Sequence, residues 1–158
     1  MPLSHIDELL MMTSDEIDFG TLSEEILVQI ALSDDPFIAT ESLGELQYRQ
    51  SNLTKEVAKK ILISVKGDAY LKAAAFETLL KLDVASSLDY VRENAKKCPP
   101  YLFNAMVEAL LDNAESLALE RLDPRTLKAF LERAEGSVED LNRKALAELE
   151  TKYSLYST

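Results

Sequence analysis

Apolar residues recur along this chain at intervals of three and four rather than two, the period of a helix with one buried face. Leu3, Ile6, Leu9 and Leu10 trace the first such face and predict a helix over residues 4–12. The next covers 22–33 and is opened by Thr21-Leu22-Ser23-Glu24, whose Thr-x-x-Glu spacing is that of a capping box. Asp35-Pro36 then starts a helix that reaches about Gln50. Asp is a good cap, and Pro at the first helical position lacks only an N–H that would have no partner there. Further helices are predicted over 53–66, 69–82, 85–97, 100–112, 114–121, 124–135 and 138–153. Turn residues separate them at Ser51-Asn52, Gly67-Asp68, Pro99-Pro100, Asp123-Pro124 and Gly136-Ser137. Runs of β-branched residues are nearly absent, and Leu, Ala, Glu and Lys, which lose little on entering a helix, dominate.

Three of these helices share a pattern. Asp68-Ala69-Tyr70-Leu71-Lys72-Ala73-Ala74-Ala75-Phe76-Glu77-Thr78-Leu79 aligns with segments that start at Asp35 and at Pro99. Each has an aromatic residue (Phe37, Tyr70, Tyr101) and then an aliphatic one (Ile38, Leu71, Leu102). Five and eight positions after the aliphatic residue come Leu43, Phe76 and Val107, then Leu46, Leu79 and Leu110. The repetition predicts that each helix packs on its neighbours with the same face, with Phe37, Tyr70, Phe76 and Tyr101 mostly in the core. Ala74 and Ala105 are expected on that face, letting helices approach closely.

The segment 68–82 resembles the first helix of a HEAT-like repeat, Asp-Pro-x-Val-Arg-x-Ala-Ala-x-x-Ala-Leu in its usual form. Leu71, Lys72, Ala74, Ala75 and Leu79 fit that form, and Asp35-Pro36 matches its opening in the preceding unit. Ala69 stands in place of the Pro, and Ala39 and Phe103 in place of the base. The resemblance covers roughly residues 35–122. It implies an all-α fold, a right-handed α-solenoid of stacked antiparallel helix pairs with about 8–10 short helices, in a single domain over residues 1–158. A non-repetitive helical bundle is the alternative.

Composition agrees with a folded chain: 158 residues, 47% hydrophobic and 28% charged. The longest apolar runs, such as Ile26-Leu27-Val28, are far shorter than the roughly 20 residues a membrane helix needs. With one cysteine and no secretory leader pattern at the N-terminus, cytoplasmic residence is the expectation. Charge changes the picture more. Asp7, Glu8, Asp15, Glu16, Asp18, Glu24, Glu25, Asp34, Asp35, Glu41 and Glu45 all lie in residues 1–48, which hold no Lys or Arg. The net charge of −11 therefore belongs to that segment, because the remaining 17 acids are matched by the 17 bases. Nucleic acid is a poor ligand for such a surface, since phosphate contacts need basic groups.

Chemistry finds few places to reside. His5 is the only histidine and is expected to be solvated on the first helix. Cys98, between Lys97 and Pro99 at a helix end, reads as an ordinary small residue. One Cys and one His do not make a zinc site, and the carboxylates of Asp15, Glu16, Asp18, Asp34 and Asp35 lack the spacing of a calcium loop. No cofactor is implied, and no Gly-rich phosphate loop is present.

The acids are the feature a solvated surface explains least, because exposed helix faces ordinarily mix signs. The expected function is non-enzymatic binding of a basic protein through Asp15, Glu16, Asp18, Phe19, Glu24, Glu25, Asp34, Glu41 and Glu45. Phe19, flanked by acids, would be the aromatic anchor or else a plug at the edge of the core. Tyr153, Leu155 and Tyr156 are expected to close the last helix pair. An immunity-type inhibitor of a nuclease-like toxin is one concrete form of the reading. A general HEAT-like adaptor or assembly factor, whose acids only solubilise the first repeat, is the alternative, and a small helical enzyme with a carboxylate site is the second.

Overall fold

The computed structural model describes residues 5–64 and 68–113, together with Lys144, Ala147, Glu148 and Thr151. Among the described residues there are seven α-helices, two 3-10 turns and no strand, so the expected all-α class holds. The helices are α1 (His5–Leu10), α2 (Glu24–Ala31), α3 (Pro36–Tyr48), α4 (Thr54–Ile63), α5 (Ala69–Leu82), α6 (Val84–Asn94) and α7 (Pro100–Asp112). The 3-10 turns, Ser14–Glu16 and Phe19–Thr21, precede α2. The helices expected over 114–121, 124–135 and 138–153 lie outside the described residues, as do the turns at Asp123-Pro124 and Gly136-Ser137 and the closing residues Tyr153, Leu155 and Tyr156.

The limits of α5 and α7 are those expected, but α2 begins later than the sequence suggests. Ser23, not Thr21, is its cap, and the Ser23 hydroxyl accepts the Ile26 N–H at 3.3 Å. Thr21 belongs to the second 3-10 turn, where its hydroxyl donates to the Asp18 carbonyl at 2.8 Å. A capping box does form, one segment earlier: the Glu16 carboxylate accepts from the Thr13 hydroxyl at 2.9 Å and from the Thr13 N–H at 3.5 Å. Ser and Thr are near equals as caps, so a spacing motif does not decide which of two adjacent candidates is used.

The chain divides into two compact units, residues 1–78 and 79–158, and the division falls within α5. In the first unit α3 is the centre. It packs against α2, α4 and both 3-10 turns, and buries Ile38, Ala39, Ser42, Leu43 and Leu46. It also runs beside α5 in the same direction. Phe37 and Tyr70, the second residues of the two helices, have ring centroids 6.3 Å apart. Further along, the Thr78 hydroxyl donates to the Gln47 side-chain carbonyl at 3.3 Å. The two helices start alike: Asp35 accepts from the Phe37 and Ile38 N–H groups at 3.0 and 3.4 Å, and Asp68 from those of Tyr70 and Leu71 at 2.8 and 3.3 Å. Each cap satisfies donors that the first helical turn leaves open.

The repeated aliphatic positions are buried in all three helices: Ile38, Leu71 and Leu102; Leu43, Phe76 and Val107; Leu46, Leu79 and Leu110. The repeated aromatic position is not. Phe37, Tyr70 and Tyr101 are 67%, 49% and 55% exposed, against the expectation that they fill the core; Phe76 alone of the four does so. In α3 the solvent-facing row is Phe37, Glu41, Gly44 and Tyr48, at helical intervals of four, three and four. Buried positions 38, 39, 42, 43 and 46 occupy the opposite side, so an aromatic just before the first of them must point outward. Ala74 and Ala105 are likewise only half-buried, whereas the small residues Ala39, Ser42 and Ala75 of α3 and α5 are fully buried. Ala39 and Phe103, which stand where the HEAT-like form has a base, are fully buried and leave a base no room.

In the second unit the described core is Leu79, Leu80, Leu88, Tyr90, Val91, Ala95, Cys98, Leu102, Phe103, Met106, Val107 and Leu110. Asp83 caps α6 by accepting from the Ser86 N–H at 3.1 Å and the Ser86 hydroxyl at 2.7 Å.

Ser42 is completely buried in α3 and its hydroxyl has no hydrogen-bond partner among the described residues. A buried hydroxyl without a partner costs about 1–3 kcal/mol. Ser42→Ala is therefore expected to raise the unfolding free energy by about 1 kcal/mol, read as a higher urea midpoint at unchanged slope.

Candidate functional site

The segment before α2 owes its place to one base. Arg49, the first Lys or Arg of the chain, ends α3 and holds the second 3-10 turn against it. Its Nε donates to Glu45 Oε1 at 2.8 Å, and its Nη2 donates to the Phe19 and Gly20 carbonyls at 3.1 Å each. Glu45 orients the guanidinium from one turn earlier on the same helix. The second 3-10 turn cannot satisfy all its own carbonyls, and Arg49 supplies donors to two of them.

The nine sequence-predicted residues fall into three groups. Glu45 is engaged with Arg49, Glu16 with Thr13, and Phe19 is half-buried with its carbonyl on Arg49. Asp15, Asp18, Glu24 and Glu25 form an exposed run at the start of α2 and engage no base among the described residues. Asp34 and Glu41 are also exposed but lie elsewhere. Asp34 follows the end of α2, so the length of that helix, about 12 Å for eight residues, separates it from Glu24. Glu41 is in the middle of α3's outer row. The nine residues thus do not make one continuous patch. Four of them lie within residues 15–25, ahead of or at the start of α2, and are exposed.

At the far end of α2 there is a cavity of about 160 Å³. Ala31, Ile61 and Leu71 provide apolar lining, and Asp34, Lys60 and Asp68 provide charged lining. The charge counts that single out residues 1–48 give no sign of this place, because it joins residues from four helix ends. The one signal was the recurrence of an aromatic two positions after the Asp caps of α3 and α5.

Groups with latent chemistry are held in ordinary roles. His5 is exposed at the start of α1. Cys98 is buried, with its thiol donating to the Ala95 carbonyl at 3.3 Å. Among the described residues no three His, Cys, Asp or Glu side chains converge to hold a metal ion, and no helix is long and apolar enough to cross a membrane. Comparison with protein-family models, with curated proteins and with solved structures finds no match.

Two predictions test these arrangements. Arg49→Ala should cost about 1–2 kcal/mol of stability, since it leaves two carbonyls and Glu45 without their charged donor at a partly exposed site. Amide exchange should rise most at Thr21 and Leu22. In the second unit, burial and then the charge of Cys98 push Tyr90 from 10.0 to about 12. A folded-state pKa above the unfolded one contributes stability that is full below pH 10 and is lost as pH rises through 12. Unfolding between pH 10 and 12 should therefore be less steep in Tyr90→Phe, followed by circular dichroism.

Proposed function

We propose that this chain is a non-enzymatic protein-binding module of the HEAT-like α-solenoid kind, which engages a basic protein through its acidic N-terminal surface. The observation that carries the reading is the charge distribution: 11 acids and no base in residues 1–48, with Asp15, Asp18, Glu24 and Glu25 each exposed. Carboxylates held close without counter-charges repel one another and also steer a cationic partner toward them. The stacking of helix pairs is supported by α3 and α5, which run side by side with equivalent residues, Phe37 and Tyr70, in contact.

In its concrete form the partner is a toxin domain of the nuclease type, basic because it binds nucleic acid, and this chain is its cytoplasmic immunity protein. Long-range attraction raises association rates, which suits an inhibitor that must bind before its target acts. The adaptor reading draws support from Glu16, Asp35 and Glu45, whose carboxylates serve the fold itself.

The test is capture from the native host with the wild-type chain and with Asp15, Asp18, Glu24 and Glu25 all changed to Lys, folding being checked by circular dichroism. The reversed variant should bind the captured partner at least about tenfold more weakly, with a shallower dependence on salt. Unchanged affinity and salt dependence would remove the acidic surface from the interaction. A partner whose nuclease activity persists in the complex would remove the inhibitor role.

A further inference from the structure

Seven large hydrophobic side chains are exposed among the described residues of the first unit, and four of them gather at one end. Leu32 lines the 160 Å³ cavity. Phe37, Ile63 and Tyr70 are each next in sequence to a lining residue: Pro36, Ser64 and Leu71. Phe37 and Tyr70 touch. An exposed apolar cluster of this kind beside a cavity marks an interaction site more often than a chance surface.

The lining selects the occupant. Small-molecule pockets occupy roughly 300–1,000 Å³, so this cavity suits one inserted side chain better than a metabolite. The N-termini of α3 and α5 open here, yet Asp35 and Asp68 already accept from their first N–H groups, which leaves no anion site. α2 ends here, with its C-terminal carbonyls and no base in its last turn, an arrangement that favours a cation. Of the charged groups lining the cavity among the described residues, Asp34 and Asp68 outnumber Lys60. Apolar lining, two lining carboxylates and an exposed aromatic pair on the adjoining first turns of α3 and α5 together match arginine. Its stem packs on aliphatic carbons, its planar head stacks on rings, and its donors pair with carboxylates.

We infer that this end of residues 1–78 is the docking site for an arginine side chain carried by the basic partner, held between Asp34 and Asp68 beside Phe37 and Tyr70. The inference rests on the reading of this chain as a binder of a basic protein. It moves the anchoring contact to the opposite end of α2 from the acids at 15–25, which then act in steering.

The test is amide NMR of the full chain titrated with the peptide acetyl-Gly-Ser-Arg-Ser-Gly-amide and with the same peptide carrying citrulline, the uncharged isostere of arginine. The arginine peptide should give saturable shifts at residues 31–34, 61–64 and 68–71, and the citrulline peptide should bind at least about tenfold more weakly. The double variant Asp34→Asn, Asp68→Asn keeps the cap on α5, because Asn caps as well as Asp, and should lose a similar factor. Phe37→Ala with Tyr70→Ala should do the same. Saturable shifts confined to residues 13–25, equal binding of the citrulline peptide, unchanged affinity in the Asn variant, or no saturable shift at all would each overturn the site. The two readings fail separately. If the peptide seats in the cavity while the Lys-reversed chain keeps its affinity for the native partner, the docking site stands and the acidic surface does not; the converse pattern reverses that outcome.

Discussion

The burial of α3 on several sides is the constraint from which the first unit is built. α2, α4 and both 3-10 turns pack against it, and α5 meets it through the Phe37–Tyr70 ring contact and the Thr78–Gln47 hydrogen bond. Ile38, Leu43 and Leu46 are within 1% of full burial because neighbours arrive from more than one direction. A helix so enclosed needs a broad apolar face, and α3 has one, extending from Ile38 and Ala39 round to Leu43. It leaves only the narrow outer row of Phe37, Glu41, Gly44 and Tyr48 for solvent. Its two ends are fixed by different means. Asp35 and Pro36 start it, and the last turn closes with Gln50 at φ 55 and the Ser51 N–H on the Leu46 carbonyl at 3.0 Å.

What the sequence revealed follows from this. Helical periodicity and Asp or Pro caps are local, so α5 and α7 were legible to the residue and α3 at its start. The end of α3 was not, since its left-handed residue is Gln50 rather than the Gly or Asn that announces such a turn. The second 3-10 turn was also hidden, because Arg49 stabilises it from about thirty residues away. The repeat was legible as a repeat, but its meaning was half inverted. Aliphatic positions recur because they are buried, and the aromatic positions recur on the exposed side. Counting periods identifies that a face repeats; only the angular sum of all apolar positions says which face is inside.

The acids show the same division between local and long-range causes. Glu24 and Glu25 lie in the first turn of α2, and Asp15 and Glu16 in the first turn of a 3-10 segment, where the backbone's positive end offsets part of their mutual repulsion. Asp35 and Glu45 are consumed by a cap and by an ion pair. Acids are therefore tolerable at these places, and the fold does not require most of them to stay exposed. A mixed-sign surface would have satisfied the same caps at lower electrostatic cost. The absence of bases before Arg49 is thus a property of the surface rather than of the packing.

In the proposed binding role the two ends of α2 divide the work that a binding surface has to do. Attraction at a distance depends on net charge and tolerates loose geometry, and the exposed carboxylates at 15–25, on the 3-10 segment and the first turn of α2, meet this need. Affinity at contact depends on desolvated, shape-matched groups, and these need rigid supports. The far end of α2 supplies them: Phe37 and Tyr70 stand on the first turns of two capped helices whose relative position is set at both ends, by the ring contact and by the Gln47–Thr78 hydrogen bond. Residues so placed lose little further freedom when a partner arrives, and that saving in entropy is what turns an exposed aromatic pair into an anchor.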